Sequence, residues 1–219
     1  MAEAKKRTAV IISGRGSNLG ALIQAAKNGR YPAEISLVLS NRVDAHGLTH
    51  AREHGIPIAA VDQGRCETKA EMEMEFDAAL RDQNIELICL AGFMRVLSRR
   101  FVESWQDRIL NIHPSLLPLF PGLKTHERAL EAGVRIHGAT VHFVRPETDS
   151  GPIVTQGAVP VLADDTPEKL GQRVLRIEHR IYPLALQLVA SGRAQVDGDV
   201  VAIEGAPVTP GAALLSPPD

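Results

Sequence analysis

Thr8-Ala9-Val10-Ile11-Ile12-Ser13-Gly14-Arg15-Gly16-Ser17-Asn18-Leu19 is a β-branched apolar run that breaks on glycines and gives way to a helical pattern. A short unbroken apolar run of this kind predicts a buried parallel strand over Thr8 to Ile12. Glycines let the backbone approach a ligand, and the free amides at the start of the next helix, Leu19 to Lys27, favour an anion. Asn28-Gly29 is expected to stop that helix. The alternation continues through the first half of the chain. Strands are expected over Ile35 to Leu39, Ile56 to Val61, Ile85 to Leu90 and Ile109 to Ile112, the second of these at an edge because Pro57 cannot donate to a ladder. Helices are expected from Asp44 to His54-Gly55, from Lys69 to Arg81 with Met72, Phe76, Ala79 and Leu80 on one stripe, and from Ser98 to Trp105. The pattern predicts an α/β fold: a Rossmann-like, mostly parallel sheet with helices on both faces, in a single domain.

The second half reads differently. Pro114 to Lys124 holds three prolines and several leucines, which predicts a long but ordered apolar loop. Strands are expected over Ile136 to Val144 and Ile153 to Val161. Asp165-Thr166-Pro167-Glu168 carries helix-start chemistry, and that helix is expected to reach Ala190, with a bend at Pro183. One domain is expected over residues 1–219: a phosphate-binding half of about 7–105, a catalytic half of about 106–192, and a poorly ordered tail from Ala206 to Asp219.

Bulk composition narrows the function. Hydrophobic residues make up 44% and charged residues 23%, ordinary for a soluble globular chain. A net charge of −2 gives no general pull toward nucleic acid or anionic membrane, so an anionic ligand must be held by local donors. Cys66 and Cys89 lack metal-type spacing, and Cys89 falls within an apolar run as a core residue. No apolar segment follows the charged start as a signal would, so a cytoplasmic location is expected. The expected partners are small-molecule substrates, with no nucleic acid and no membrane, and a homodimer is allowed.

The glycine loop excludes some ligands. A dinucleotide fingerprint needs glycine or alanine three residues after Gly16, where Leu19 stands, and an acid near the end of the second strand, where Ser40-Asn41-Arg42 stands. The lysine of a P-loop is missing too. The loop therefore fits a monophosphate cradle or, as the plain structural alternative, a tight turn into a capped helix. Asn111-Ile112-His113-Pro114-Ser115 supplies different chemistry. Two residues apart on a strand, Asn111 and His113 face the same side, and Pro114 places them at its carboxyl edge. An amide donor beside a titratable donor suits a carbonyl that becomes an oxyanion. Asp149, in Thr148-Asp149-Ser150-Gly151, follows a predicted strand, though a turn aspartate is most often structural. His137 and His142 lack a suitably spaced third ligand, so no metal is expected. Serine and cysteine nucleophile signatures are also missing.

Taken in order, the glycine loop, Ala91-Gly92-Phe93-Met94-Arg95-Val96-Leu97, Asn111 to Pro118 and His137-Gly138-Ala139-Thr140-Val141-His142-Phe143 resemble the phosphoribosylglycinamide formyltransferases, from about Ala9 to Ala190. The Asn-x-His-Pro-Ser core is shared with formyltetrahydrofolate deformylase and methionyl-tRNA formyltransferase. The first has an extra N-terminal domain and the second an extra C-terminal one, neither of which is expected here. The resemblance implies formyl transfer from 10-formyltetrahydrofolate, as cosubstrate, to the amine of phosphoribosylglycinamide in purine synthesis. It implies a catalytic set of Asn111, His113 and Asp149, with Asp149 relaying protons. It implies that Gly16, Ser17, Asn18 and Glu178 bind the ribonucleotide. For the folate it implies Met94, Arg95, Val96, Leu97, Asn111 and the loop Arg145, Pro146, Glu147, Thr148 and Asp149. Lys69 falls where some members carry arginine at the folate site, and lysine cannot grip a carboxylate bidentately. His137 is implied to support the site from behind. Two alternatives stand beside this reading: a deformylase using water as acceptor, and a non-catalytic nucleotide-binding α/β module.

Overall fold

Apolar residues on both faces of the first strands require cover on both sides, and the chain supplies it. The computed structural model describes residues 4–62, 64 and 66–205. Strand β1 (Lys6–Ile12) leads through the glycine loop into helix α1 (Ser17–Ala26), and β2 (Ala33–Ser40), α2 (His46–Glu53), β3 (Ile58–Ala60) and α3 (Lys69–Asp82) follow. Next come β4 (Leu87–Leu90), α4 (Arg99–Ser104), β5 (Ile109–His113), α5 (Thr125–Glu131), β6 (Ile136–Phe143), β7 (Ile153–Pro160) and α6 (Pro167–Ala190). Val10 and Ile12 of β1 pack with Leu19, Leu22, Leu48, Leu170 and Tyr182 of α1, α2 and α6. Ala9 and Ile11 pack on the opposite face with Met72, Phe76, Phe101 and Trp105 of α3 and α4. This period-two partition of one strand between two cores is what makes the fold a three-layer α/β structure.

The sheet has seven strands in the order β3-β2-β1-β4-β5-β6-β7. Pairing is parallel from β3 through β5. It becomes antiparallel where β6 joins β5 and β7 joins β6. Chain order reverses between β1 and β4, and ligands of open α/β sheets bind outside the carboxyl ends of strands at such a point. β3 is the edge strand, shortened to Ile58–Ala60 at its proline, although the Pro57 carbonyl still accepts from Val38 N–H at 2.9 Å.

Several expectations need correction. Asp44 does not open α2: Ala45 is the N-cap, with no side-chain cap, and the Asp44 carboxylate instead pairs with Arg42 at 2.8 Å. Asn28-Gly29 does not stop α1, which ends at Ala26 with Lys27 as C-cap. Helix α5 was not foreseen. It has seven residues, too few to show periodicity, and starts behind Lys124 at φ 56° rather than a capping side chain. A separate hairpin, β8 (Ala194–Asp197) with β9 (Val200–Ile203), was also missed, although Asp197-Gly198 is turn chemistry. Helix α6 does run from Pro167 to Ala190 with Pro183 inside it, and Thr166 caps it by accepting from Lys169 N–H. No helix among the described residues is long and apolar enough to cross a membrane. The Ala206 to Asp219 tail lies outside the described residues.

Candidate active site

The carboxyl ends of β1, β4 and β5 open into one cavity of about 970 Å³. Asn111 and His113 line it from the end of β5, as their shared face required. Asp149 joins them from the loop after β6, its carboxylate Oδ2 standing 3.4 Å from His113 Nδ1 with both side chains buried. The Gly122 amide donates to the same oxygen at 2.8 Å. On the other side of the ring, His113 Nε2 lies 3.0 Å from the Phe120 carbonyl. Both ring nitrogens therefore face acceptors, and a doubly protonated ring satisfies both. To serve a ligand oxygen, Nε2 must exchange the Phe120 carbonyl for it. Phe120 holds that carbonyl from a left-handed backbone, φ 53°, which costs a non-glycine residue about 1–2 kcal/mol.

His142 is the site residue that sequence reasoning missed. The antiparallel register sets it directly opposite Asn111. Its Nδ1 meets the Phe143 carbonyl at 2.9 Å, which makes Nδ1 the protonated nitrogen and leaves Nε2 as an acceptor. Asn111 Nδ2 donates to that Nε2 at 3.2 Å, so the amide is oriented and its second N–H stays available. Burial pushes the His142 imidazole below its ordinary range and keeps it neutral for this purpose; its hydrogen bond to Phe143 opposes the shift. Only the pairing of β5 with β6 reveals this contact, and nothing local marks it.

Of the glycine loop, Ser17 and Asn18 reach the cavity, whereas Gly16 is not among its lining residues. Gly16 is the N-cap of α1 at φ 75° and no side chain caps the helix, so its first amides have no intrahelical acceptor. A Cβ on Gly16 would stand 3.0 Å from the Gly47 Cα. Ser17 and Asn18 line the cavity, as does Glu178 of α6. The Asn18 side chain is tied to α6: its Nδ2 donates to Glu178 Oε2 at 2.7 Å. Its Oδ1 is left buried without a partner and can only accept. Burial raises the Glu178 carboxyl, with the Asn18 hydrogen bond working against it. Gly16→Ala is expected to raise KM for a phosphorylated substrate at least tenfold. It adds left-handed strain of about 1–2 kcal/mol and the Gly47 contact at the helix start, where free amides favour an anion. Steady-state kinetics that show no selective effect on the phosphorylated substrate would remove the loop from the binding site.

Met94, Arg95, Val96 and Leu97 line the same cavity beside β4, and Arg145, Pro146, Glu147, Thr148 and Asp149 close its outer side. Arg145 pairs with Asp107 at 2.6 Å and Glu147 with Arg99 at 2.9 Å, which ties this loop to α4 and its exit. Lys69 does not reach the main cavity. It lines an adjoining one of about 510 Å³ with Cys66, Met72 and the back of Met94 to Val96, and lies 3.9 Å from Glu73. His137 and His142 are not a pair. His137 sits behind the loop, its Nε2 3.3 Å from His126 Nδ1 and its ring edge-on to Phe120.

Burial lowers the His137 imidazole from its ordinary 6.5 to about 4, reinforced by His126 and opposed by a hydrogen bond to the Pro114 carbonyl. Between those values the unfolded chain binds a proton at this position that the folded chain does not. Stability must therefore rise with pH across the window and fall on acidification from 6.5 toward 4. Urea unfolding from pH 7 to pH 4.5 is expected to show a shallower loss for His137→Gln than for the parent. Parallel curves would assign the acid sensitivity elsewhere.

The sequence pattern of the Formyl transferase family matches residues 6–186, and the chain belongs to that family. Two relatives and one solved structure give the likeness more narrowly. The chain is 40% identical over 200 residues to the phosphoribosylglycinamide formyltransferase of Haemophilus influenzae, covering 91% of this chain and 94% of that one. It is 52% identical over 192 residues to the trifunctional purine biosynthetic protein adenosine-3 of Gallus gallus, covering 88% of this chain but only 19% of that longer protein. The crystal structure of glycinamide ribonucleotide transformylase 1 from Symbiobacterium toebii superposes with a TM-score of 0.88 at 44% identity, over 91% of this chain and 94% of that one.

Proposed function

We propose that this chain transfers the formyl group of 10-formyltetrahydrofolate to the amine of phosphoribosylglycinamide, a step of purine biosynthesis. The observation that carries the reading is the convergence of Asn111, His113 and Asp149 on a cavity that also holds an uncapped helix start. The relatives named above support the choice of substrates. The ribonucleotide's phosphate takes the free amides at Gly16 to Asn18. Glu178 and the unpartnered Asn18 oxygen accept from its hydroxyl or amine groups. The folate lies against Met94 to Leu97, under the Arg145 to Asp149 loop.

The amine nitrogen attacks the formyl carbon, forming a C–N bond and a tetrahedral oxyanion. Asn111, held by His142, donates its second N–H to that oxygen. His113 donates from Nε2 once the Phe120 carbonyl gives way. The carbon's bond to folate N10 then breaks. The amine loses one proton and N10 gains one, so Asp149 and water need only relay a proton, with none consumed. Localisation in the cytoplasm accompanies this reading.

Incubation with 10-formyltetrahydrofolate, with and without phosphoribosylglycinamide, decides among the alternatives. Folate product is expected only when the ribonucleotide is present. Formate release without it would make the chain a deformylase, and no turnover under either condition would leave a binding module.

A further inference from the structure

Resting on that reading, the folate-receiving segment raises a question of its own. Leu97 is buried in the core, but Met94 and Val96 expose 68% and 60% of their surface, so packing alone does not fix this stretch between β4 and α4. Polar ties do, one at each end. The Met94 amide donates to Ser13 Oγ at 3.0 Å. Ser13, buried at the end of β1, donates in turn to Asn41 Oδ1 at 2.7 Å. At the other end the Ser98 amide donates to Glu73 Oε1 at 2.7 Å, and the Ser98 hydroxyl donates to the second oxygen of the same carboxylate. Glu73 is itself buried on α3, with Lys69 3.9 Å away as its counter-ion. Neither Ser13 nor Glu73 lines the main cavity.

We propose that Ser13 and Glu73 are positioning residues that fix the two ends of the Met94 to Leu97 segment so that its backbone meets the folate in register, without touching the ligand. A backbone that serves as a recognition surface must be preorganised, because ordering it during binding subtracts from affinity. Ser13 is also the first residue of the glycine loop, but its hydroxyl contacts Asn41 and Met94 rather than the amides from Gly16 to Asn18. Asn41 stands where a dinucleotide-binding fold would carry its ribose acid, and here it orients that hydroxyl. The arrangement also gives Lys69 a role: it neutralises Glu73 behind the wall.

The test uses the full chain and two probes, folic acid as an unreactive folate and phosphoribosylglycinamide, titrated by calorimetry into Ser13→Ala, Glu73→Ala and the double variant, with melting temperatures in parallel. Each single variant is expected to weaken folic acid binding by about tenfold, the scale of one lost hydrogen bond. Ribonucleotide affinity is expected to stay within about twofold. The double variant is expected to lose less than the product of the single losses, because a segment freed at one end has less order left to lose. Ser13→Cys, whose sulfur is a weak acceptor in the same place, is expected to fall between serine and alanine, and it stands in for alanine if that variant does not fold. Unchanged folic acid affinity in the variants beside a normal parent overturns this inference alone, as does an equal loss for both probes. A parent that binds no folic acid overturns the proposed function and this inference with it.

Discussion

His113→Ala is expected to lower kcat by about 10²–10³, the scale on which removal of one oxyanion donor acts, about 2.7–4 kcal/mol. The loss falls on kcat because the oxyanion exists only in the transition state and the intermediate, so substrate affinity changes little. The geometry adds a second consequence. His113 is buried between the Phe120 carbonyl and the Asp149 carboxylate, so alanine leaves both without their shared partner. Phe120 and Gly122 belong to the loop bounding the cavity, and that loop is expected to loosen, with a lower melting temperature accompanying the kinetic defect. Single-turnover rates separate the two effects, because a loosened loop also raises KM whereas a lost donor does not. A variant that retains near-parent kcat would remove His113 from the chemistry and leave it as a strut for the loop.

Asp149→Asn is expected to reduce turnover by roughly a hundredfold or more, the scale of general acid–base contributions, while the chain still folds. Folding survives for two reasons read from the backbone. Asp149 adopts φ 54°, a left-handed conformation that asparagine tolerates as well as aspartate does. The Asn carbonyl oxygen can also still accept from the Gly122 amide. The chemistry does not survive, because the amide oxygen that stays opposite His113 Nδ1 can neither take up and pass on a proton nor carry a negative charge. In the double variant with His113→Ala the losses should not multiply, since both act through one imidazole. Near-normal turnover in Asp149→Asn alone would make Asp149 a turn residue, and multiplying losses would mean that it acts independently of His113.

Much of this site lay open in the chain itself. The alternation of β-branched runs with helical stripes determined the parallel core, because burial on both faces demands continuous apolar strands. Asn111 and His113 faced the same cavity for the simplest of reasons, a period of two on a strand whose end is marked by Pro114. Gly16 was legible as a place of close backbone approach, and its positive φ is what glycine permits.

The partners of these residues were decided elsewhere. His142 holds Asn111 because β6 adds antiparallel to β5, and a register between strands separated by a long loop is set by long-range packing. Asp149 reaches His113 only when the loop after β6 folds back over the sheet edge. Asn18 gives its amide to Glu178, 160 positions away. Asp44, a good cap by composition, pairs with Arg42 instead, and Lys69 lines an adjoining cavity rather than the one that holds Asn111 and His113. Local sequence determines which backbone conformation a segment can adopt and which face it buries. Which side chain a polar group meets depends on elements brought together by the closing of the whole chain.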